Sequence, residues 1–166
     1  MIRLGVLASH TGTNFQAIVD ACEAGSLDAR IVLLICNNSR ATVVTRAESA
    51  GIPSRHLSSK THATPETLDE AMCEALVAAG AELIVLAGYM KRLGPIVLQH
   101  YKNRIINVHP SLLPRFGGPG CFGARVHEAV IAAGETHTGA TVHFVNEEYD
   151  QGAIILQDTI PVKQSD

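Results

Sequence analysis

Short runs of aliphatic and β-branched residues alternate along this chain with longer segments whose apolar positions fall three and four residues apart. The runs "IRLGVLA" near the start, "ARIVLLIC" at 29–36, "ELIVLAG" at 82–88 and "RIINV" at 104–108 read as buried strands, apolar on both faces. Between them, "NFQAIVDACEAG" spaces Phe15, Ile18, Val19 and Cys22 on one helical face and stops on Gly25. "ATVVTRAESAG" stops on Gly51. "TPETLDEAMCEALVAAG" starts on a capping Thr64 with Pro65 at the first helical position and stops on Gly80. Strand and helix in repeated alternation predict parallel pairing through right-handed crossovers, with helices on both faces. After a helix at "RVHEAVIAAG", the strands "GATVHFVN" and "GAIILQDTIPV" follow each other across the polar turn "EEYDQ", which predicts an antiparallel ending. The expected class is α/β, a Rossmann-like, doubly wound, mostly parallel sheet with an antiparallel C-terminal part.

Composition narrows the picture. With 166 residues, 46% of them hydrophobic, the chain is long enough for one domain with a sizeable core, and no repeat or linker divides it. A net charge of -3 argues against a nucleic-acid or anionic-membrane binder, and no long apolar run suggests a leader or a membrane span. Cys22, Cys36, Cys73 and Cys121 form no C-x-x-C pair, so reduced thiols and a cytoplasmic location are expected.

In such a sheet, ligands bind beyond the carboxyl ends of the strands. Gly12, Thr13 and Asn14 in "ASHTGTNFQAI" lie where a strand turns into a helix, whose first N–H groups attract an anion; the same residues also suit an ordinary cap. Neither the G-x-G-x-x-G fingerprint nor the lysine of a P-loop is present, so no nicotinamide cofactor or nucleoside triphosphate is expected. In "LAGYMKRLGP", Met90 and Leu93 suit an apolar wall and Lys91 and Arg92 an acidic ligand tail, against the plain alternative of a solvated loop.

The stretch "IINVHPSLLPRF" ends a strand on an amide and an imidazole. Asn107 and His109 are two apart and so point the same way, while Pro110 and Pro114 restrict the chain behind them. An imidazole that does chemistry needs a partner to fix it. Glu147, Glu148 and Asp150 in "NEEYDQG" are the acidic candidates, and periodicity does not choose among them.

These pieces, "SHTGTN", "VLAGYMKRL", "INVHPSLLPRF" and "HTGATVHFVNEEYDQGAIILQ", together resemble the folate-dependent glycinamide ribonucleotide formyltransferases, in order and over nearly the whole chain. The resemblance implies the formyltransferase fold and a one-carbon transferase of purine biosynthesis. Its co-substrate would be 10-formyltetrahydrofolate, its acceptor the amine of 5-phosphoribosylglycinamide, and no metal would take part. It implies Asn107, His109 and Asp150 as catalytic residues. Gly12, Thr13 and Asn14 would clamp the ribonucleotide phosphate, and Met90, Lys91, Arg92 and Leu93, with Asn107 and the 145–150 loop, would face the folate. Small-molecule partners are expected, with no nucleic acid and no membrane; a homodimer is compatible with the family.

The chain departs from the family pattern in several places. His10 stands where a glycine is usual, and Pro65 where an arginine often reaches toward the folate, with Lys60 as a substitute cation. The loop "RFGGPGCFGARVHEAV" also differs from the commonest form. Family members continue past the point where this sequence stops, into a helix with an acidic residue at the ribonucleotide; a single catalytic domain over 1–166 lacking that helix is expected. Two other readings compete. A methionyl-tRNA formyltransferase or a formyltetrahydrofolate hydrolase carries the same trio but adds another domain. A non-catalytic folate- or nucleotide-binding module would bind without turnover.

Overall fold

The computed structural model describes residues 1–148 and 150–163. It clusters into two compact units, Met1–Ile105 and Ile106–Asp166. Strands and helices follow in the order β1 (Ile2–Ala8), α1 (Thr13–Glu23), β2 (Ala29–Cys36), α2 (Thr42–Ser49), β3 (Ser54–His56), α3 (Pro65–Ala78), β4 (Leu83–Leu86), α4 (Pro95–His100), β5 (Ile105–His109), α5 (Ala124–Ala132), β6 (His137–Phe144) and β7 (Ile154–Pro161). The sheet order is β3-β2-β1-β4-β5-β6-β7, with β1 parallel to β2 and β4, β2 parallel to β3, and β6 antiparallel to both β5 and β7. This is the expected fold class, mostly parallel with an antiparallel end and flanked by helices. Among the described residues no helix is long and apolar enough to cross a membrane.

In the first unit the central strands are apolar on both faces because helices cover both. Val6, Leu7, Leu34, Ile35 and Ile84 are fully buried, against Phe15 of α1, Val43 and Ala47 of α2 and Leu76 of α3, which are equally buried. The short β3 escapes a reading by periodicity. Its residues Ser54, Arg55 and His56 are polar, and it extends the sheet only by pairing with Leu34–Cys36. Helix α3 begins as expected, with the Thr64 side chain accepting from the Thr67 N–H and Pro65 at its first position.

Helix α4 starts on Gly94 and Pro95 with no cap from its own N-terminus, and α3 provides one instead. The buried Asp69 carboxylate accepts from the N–H of Ile96 (2.7 Å) and of Val97 (3.1 Å). A side chain at Gly94 would run into that carboxylate, so glycine is required where the two helices meet. Hydrogen bonds to a charged group contribute more than neutral ones, and losing the acceptor strands two buried donors. Asp69→Ala is therefore expected to lower unfolding stability by roughly 2–3 kcal/mol, read as a lower midpoint in urea, with Asp69→Asn retaining part of the loss.

Candidate functional site

In the second unit, strand β5 ends on the polar pair that its apolar start does not call for. The antiparallel register sets Asn107 opposite His143 and His109 opposite Thr141. All four therefore share one face of the β5–β6 pair. Beyond His109 the chain is tied down by hydroxyls. Thr141 Oγ donates to the Ser111 carbonyl (2.6 Å) and accepts from the Leu113 N–H (3.1 Å) and from Gln157 Nε2 (2.9 Å). Ser111 Oγ donates to the Arg115 carbonyl (2.7 Å), and both Ser111 and Thr141 are fully buried. The stiffness read from Pro110 and Pro114 thus has a second source, a buried hydrogen-bond network with its donors and acceptors matched.

Asp150 meets this face from the turn between β6 and β7. Its carboxylate lies 3.4 Å from His109 Nδ1 and 3.5 Å from His143 Nε2, and its other oxygen accepts from the Gly118 N–H at 2.9 Å. Burial alone raises a carboxyl pKa, but here the bonds from His109 and Gly118 and the charge of His109 outweigh it and hold Asp150 well below the usual range. For His109, burial disfavours the imidazolium. The hydrogen bond and charge of Asp150, together with the Phe116 carbonyl 2.9 Å from Nε2, win and raise its pKa. Both ring nitrogens face acceptors, which is the arrangement that suits the doubly protonated ring.

His143 joins the trio's members. Its Nδ1 lies 2.8 Å from the Phe144 carbonyl, which can only accept, so Nδ1 carries the proton. Nε2 then accepts from Asn107 Nδ2 at 3.1 Å, which turns that amide's nitrogen inward and leaves its second N–H unused by His143. Asn107, His143, Asp150 and His109 form one continuous chain of contacts. His143 alternates with Val142 and Phe144 along the strand, a pattern that by itself suits a structural residue, and its parity with Thr141 on β6 places it on the same face.

The first unit holds the other candidates. Gly12 caps α1 in the left-handed conformation (φ 73°), a position where a side chain would strike Val43. Thr13 and Asn14 are exposed in the first turn of α1, where N–H groups have no intrahelical partner. The buried Ser9 hydroxyl donates to Asn37 Oδ1 (2.6 Å) and accepts from the Met90 N–H (2.8 Å), so it ties the ends of β1, β2 and β4 together. Met90 is half-buried beside this tie, and Lys91, Arg92 and Leu93 line a cavity of about 730 Å³. His56, Ser58 and Lys60 line it too, over an apolar floor that includes Leu68, Met72 and Tyr89. Burial pushes the Tyr89 phenol up to about 12, so it stays neutral. Asp69 also borders the cavity, with its carboxylate already engaged by α4.

A family model described as formyl transferase matches residues 2–166. The phosphoribosylglycinamide formyltransferase of Haemophilus influenzae is 41% identical over 166 residues, which is 100% of this chain and 76% of that protein. The crystal structure of glycinamide ribonucleotide transformylase 1 from Symbiobacterium toebii superposes with a TM-score of 0.93 at 39% identity, covering 100% of this chain and 76% of that one. The trifunctional purine biosynthetic protein adenosine-3 of Bos taurus is 40% identical over 99% of this chain, which spans only 16% of that longer protein. The chain belongs to the formyl transferase family.

Within that family frame, the two departures sit at different edges. His10 is exposed in the turn before Gly12, and its carbonyl accepts from the Val43 N–H at 3.1 Å. Pro65 opens α3 and lines the same cavity as Lys60 and Lys91. Among the acidic residues of the β6–β7 turn, Glu147 and Glu148 are exposed, and Asp150 is the one beside the imidazoles. Asp150 has φ 53°, a left-handed conformation that favours few residues besides glycine, asparagine and aspartate. No set of three or more His, Cys, Asp or Glu side chains among the described residues is arranged to hold a metal ion.

Because the carboxylate of Asp150 raises the His109 pKa, replacing it with a neutral amide works in the opposite direction. In Asp150→Asn the imidazolium is lost at lower pH than in the wild type, so activity that depends on protonated His109 falls earlier as pH rises. NMR titration of the His109 ring reads this directly. Glu147→Gln and Glu148→Gln leave the titration where it was; a drop in either of those variants, with none in Asp150→Asn, contradicts the pairing.

Proposed function

We propose that this chain transfers the formyl group of 10-formyltetrahydrofolate to the primary amine of 5-phosphoribosylglycinamide, as an enzyme of purine biosynthesis. The observation that carries the reading is the cluster of Asn107, His109, His143 and Asp150, with both imidazoles buried, in a chain 41% identical to a phosphoribosylglycinamide formyltransferase. The amine nitrogen forms a bond to the formyl carbon, and the carbonyl electrons move onto oxygen. As that oxygen returns its electrons, the bond to the folate nitrogen breaks, and a proton passes from the amine to the departing nitrogen. Donors aimed at the oxygen as it becomes negative lower the barrier.

Asn107 offers the N–H that His143 leaves unused. His109 offers Nε2–H, which in this structure meets the neutral carbonyl of Phe116. A negative oxygen is the stronger acceptor, so the charged donor exchanges one partner for the other as charge develops. Asp150 keeps the ring protonated for that moment. The cavity lined by Lys60, Lys91 and Arg92 has the size and chemistry for an acidic, partly aromatic ligand, and it supports the assignment of the folate to Lys91, Arg92 and Leu93, with Met90 adjoining them in the chain. The turn at Gly12, Thr13 and Asn14 is the phosphate site of this reading. A cytoplasmic location goes with it, supported by four unpaired cysteines.

A spectroscopic assay of formyl transfer decides between acceptors. Turnover with 5-phosphoribosylglycinamide, and none with methionyl-tRNA or water, is expected; the reverse assigns the chain to another formyltetrahydrofolate enzyme, and binding without turnover makes it a module. In the same assay His109→Ala and Asn107→Ala each lower turnover by ~10²-fold or more while folate binding changes far less. Turnover near the wild-type rate in either variant removes the mechanism.

A further inference from the structure

The turn before α1 is held from behind by α2. The Val43 N–H, in the first turn of α2, donates to the His10 carbonyl at 3.1 Å. Arg46, one turn further along α2, donates from Nε to the Thr11 carbonyl at 2.8 Å and from its terminal nitrogen to Gln16 Oε1 at 3.2 Å. Two consecutive carbonyls of the turn are thereby drawn toward α2. A trans peptide is planar, and its N–H points opposite to its C=O. With the carbonyls of His10 and Thr11 committed to α2, the N–H groups of Thr11 and Gly12 point the other way. Among the described residues neither N–H meets a protein acceptor. Gly12 is buried, so its unmatched donor is costly unless a ligand completes it.

We infer that Arg46 is a positioning residue for the phosphate of the ribonucleotide, acting through the Thr11–Gly12 peptide rather than by direct contact. The inference rests on the assignment of Gly12, Thr13 and Asn14 to the phosphate. The plain alternative is that Arg46 sits in the last turn of α2 because a cation suits a helix C-terminus. The two differ in geometry. The macrodipole needs only a positive charge, whereas the clamp needs a planar fork reaching the Thr11 carbonyl and Gln16 together.

Arg46→Lys keeps the charge and loses the fork; Arg46→Met keeps the stem and loses both. Steady-state kinetics on the full chain are expected to show the KM for 5-phosphoribosylglycinamide rising about tenfold in both variants, the size of one lost charge-assisted hydrogen bond. Turnover at saturation, the KM for 10-formyltetrahydrofolate and the melting temperature stay near wild type. A wild-type KM in Arg46→Lys overturns the inference in favour of charge alone, and a wild-type KM in both variants removes it. A fall in turnover and melting temperature together also overturns it, because Arg46 is then a stability residue. The phosphate assignment is tested separately by titrating the wild type with inorganic phosphate and following the Gly12 amide by NMR. If that amide does not move, the assignment fails. If it moves equally in wild type and Arg46→Met, the assignment stands and the inference fails.

Discussion

A carboxylate sunk until only a tenth of its side chain is exposed keeps its charge only if donors surround it, and Asp150 is so placed. The His109 imidazole and the Gly118 N–H supply them, and His143 Nε2 lies 3.5 Å away. The chemical end of the second unit follows from that requirement. A protonated His109 answers it, and the peptide at Gly118 turns its N–H inward. Around them the Phe116 carbonyl meets His109, the Phe144 carbonyl meets His143, and Asn107 meets the nitrogen that His143 leaves as an acceptor. Replacing one member leaves another buried polar atom without a match, so the cluster stands as a unit.

The same economy governs the strand ends. Where a ladder runs out, this chain closes it with a buried hydroxyl. Ser9 does so for β1, β2 and β4, and Thr141 does so for the loop after β5. Both residues are small, β-compatible or turn-compatible, and able to donate and accept at once. They turn frayed ends into fixed loop starts, and loops that start from fixed points hold side chains where a reaction needs them.

The α/β class and most element positions were legible because two-sided burial writes unbroken apolar runs and helix stops write glycines. Strand β2 was read to the residue, 29–36, since "ARIVLLIC" has no rival interpretation. Strand β3 was not read, because three polar residues on a sheet edge carry no period. At the site, the pairing of Asn107 with His109 followed from strand alternation. The choice of Asp150 over Glu147 and Glu148 came from resemblance, since a turn has no period to read. In the structure Asp150 is the acid of that turn that stands beside the imidazoles, on a left-handed backbone and with the Gly118 N–H at its carboxylate. His143 and Arg46 escaped because each acts through another residue's backbone or amide, across strands or helices that the linear sequence does not show adjacent.

Strand β7 stands last in the sheet order, and all eight of its residues are exposed, Ile154, Ile155, Leu156 and Ile160 among them. Beyond its pairing with β6, its outer row of N–H and C=O groups meets no further strand among the described residues. Such an open ladder is a template for another strand, and lysines, prolines and charges are the usual guards against it. Here Asp158 is the one charge within the strand and Pro161 closes it. Among the described residues this edge is thus the place where an added strand would find the fewest obstacles.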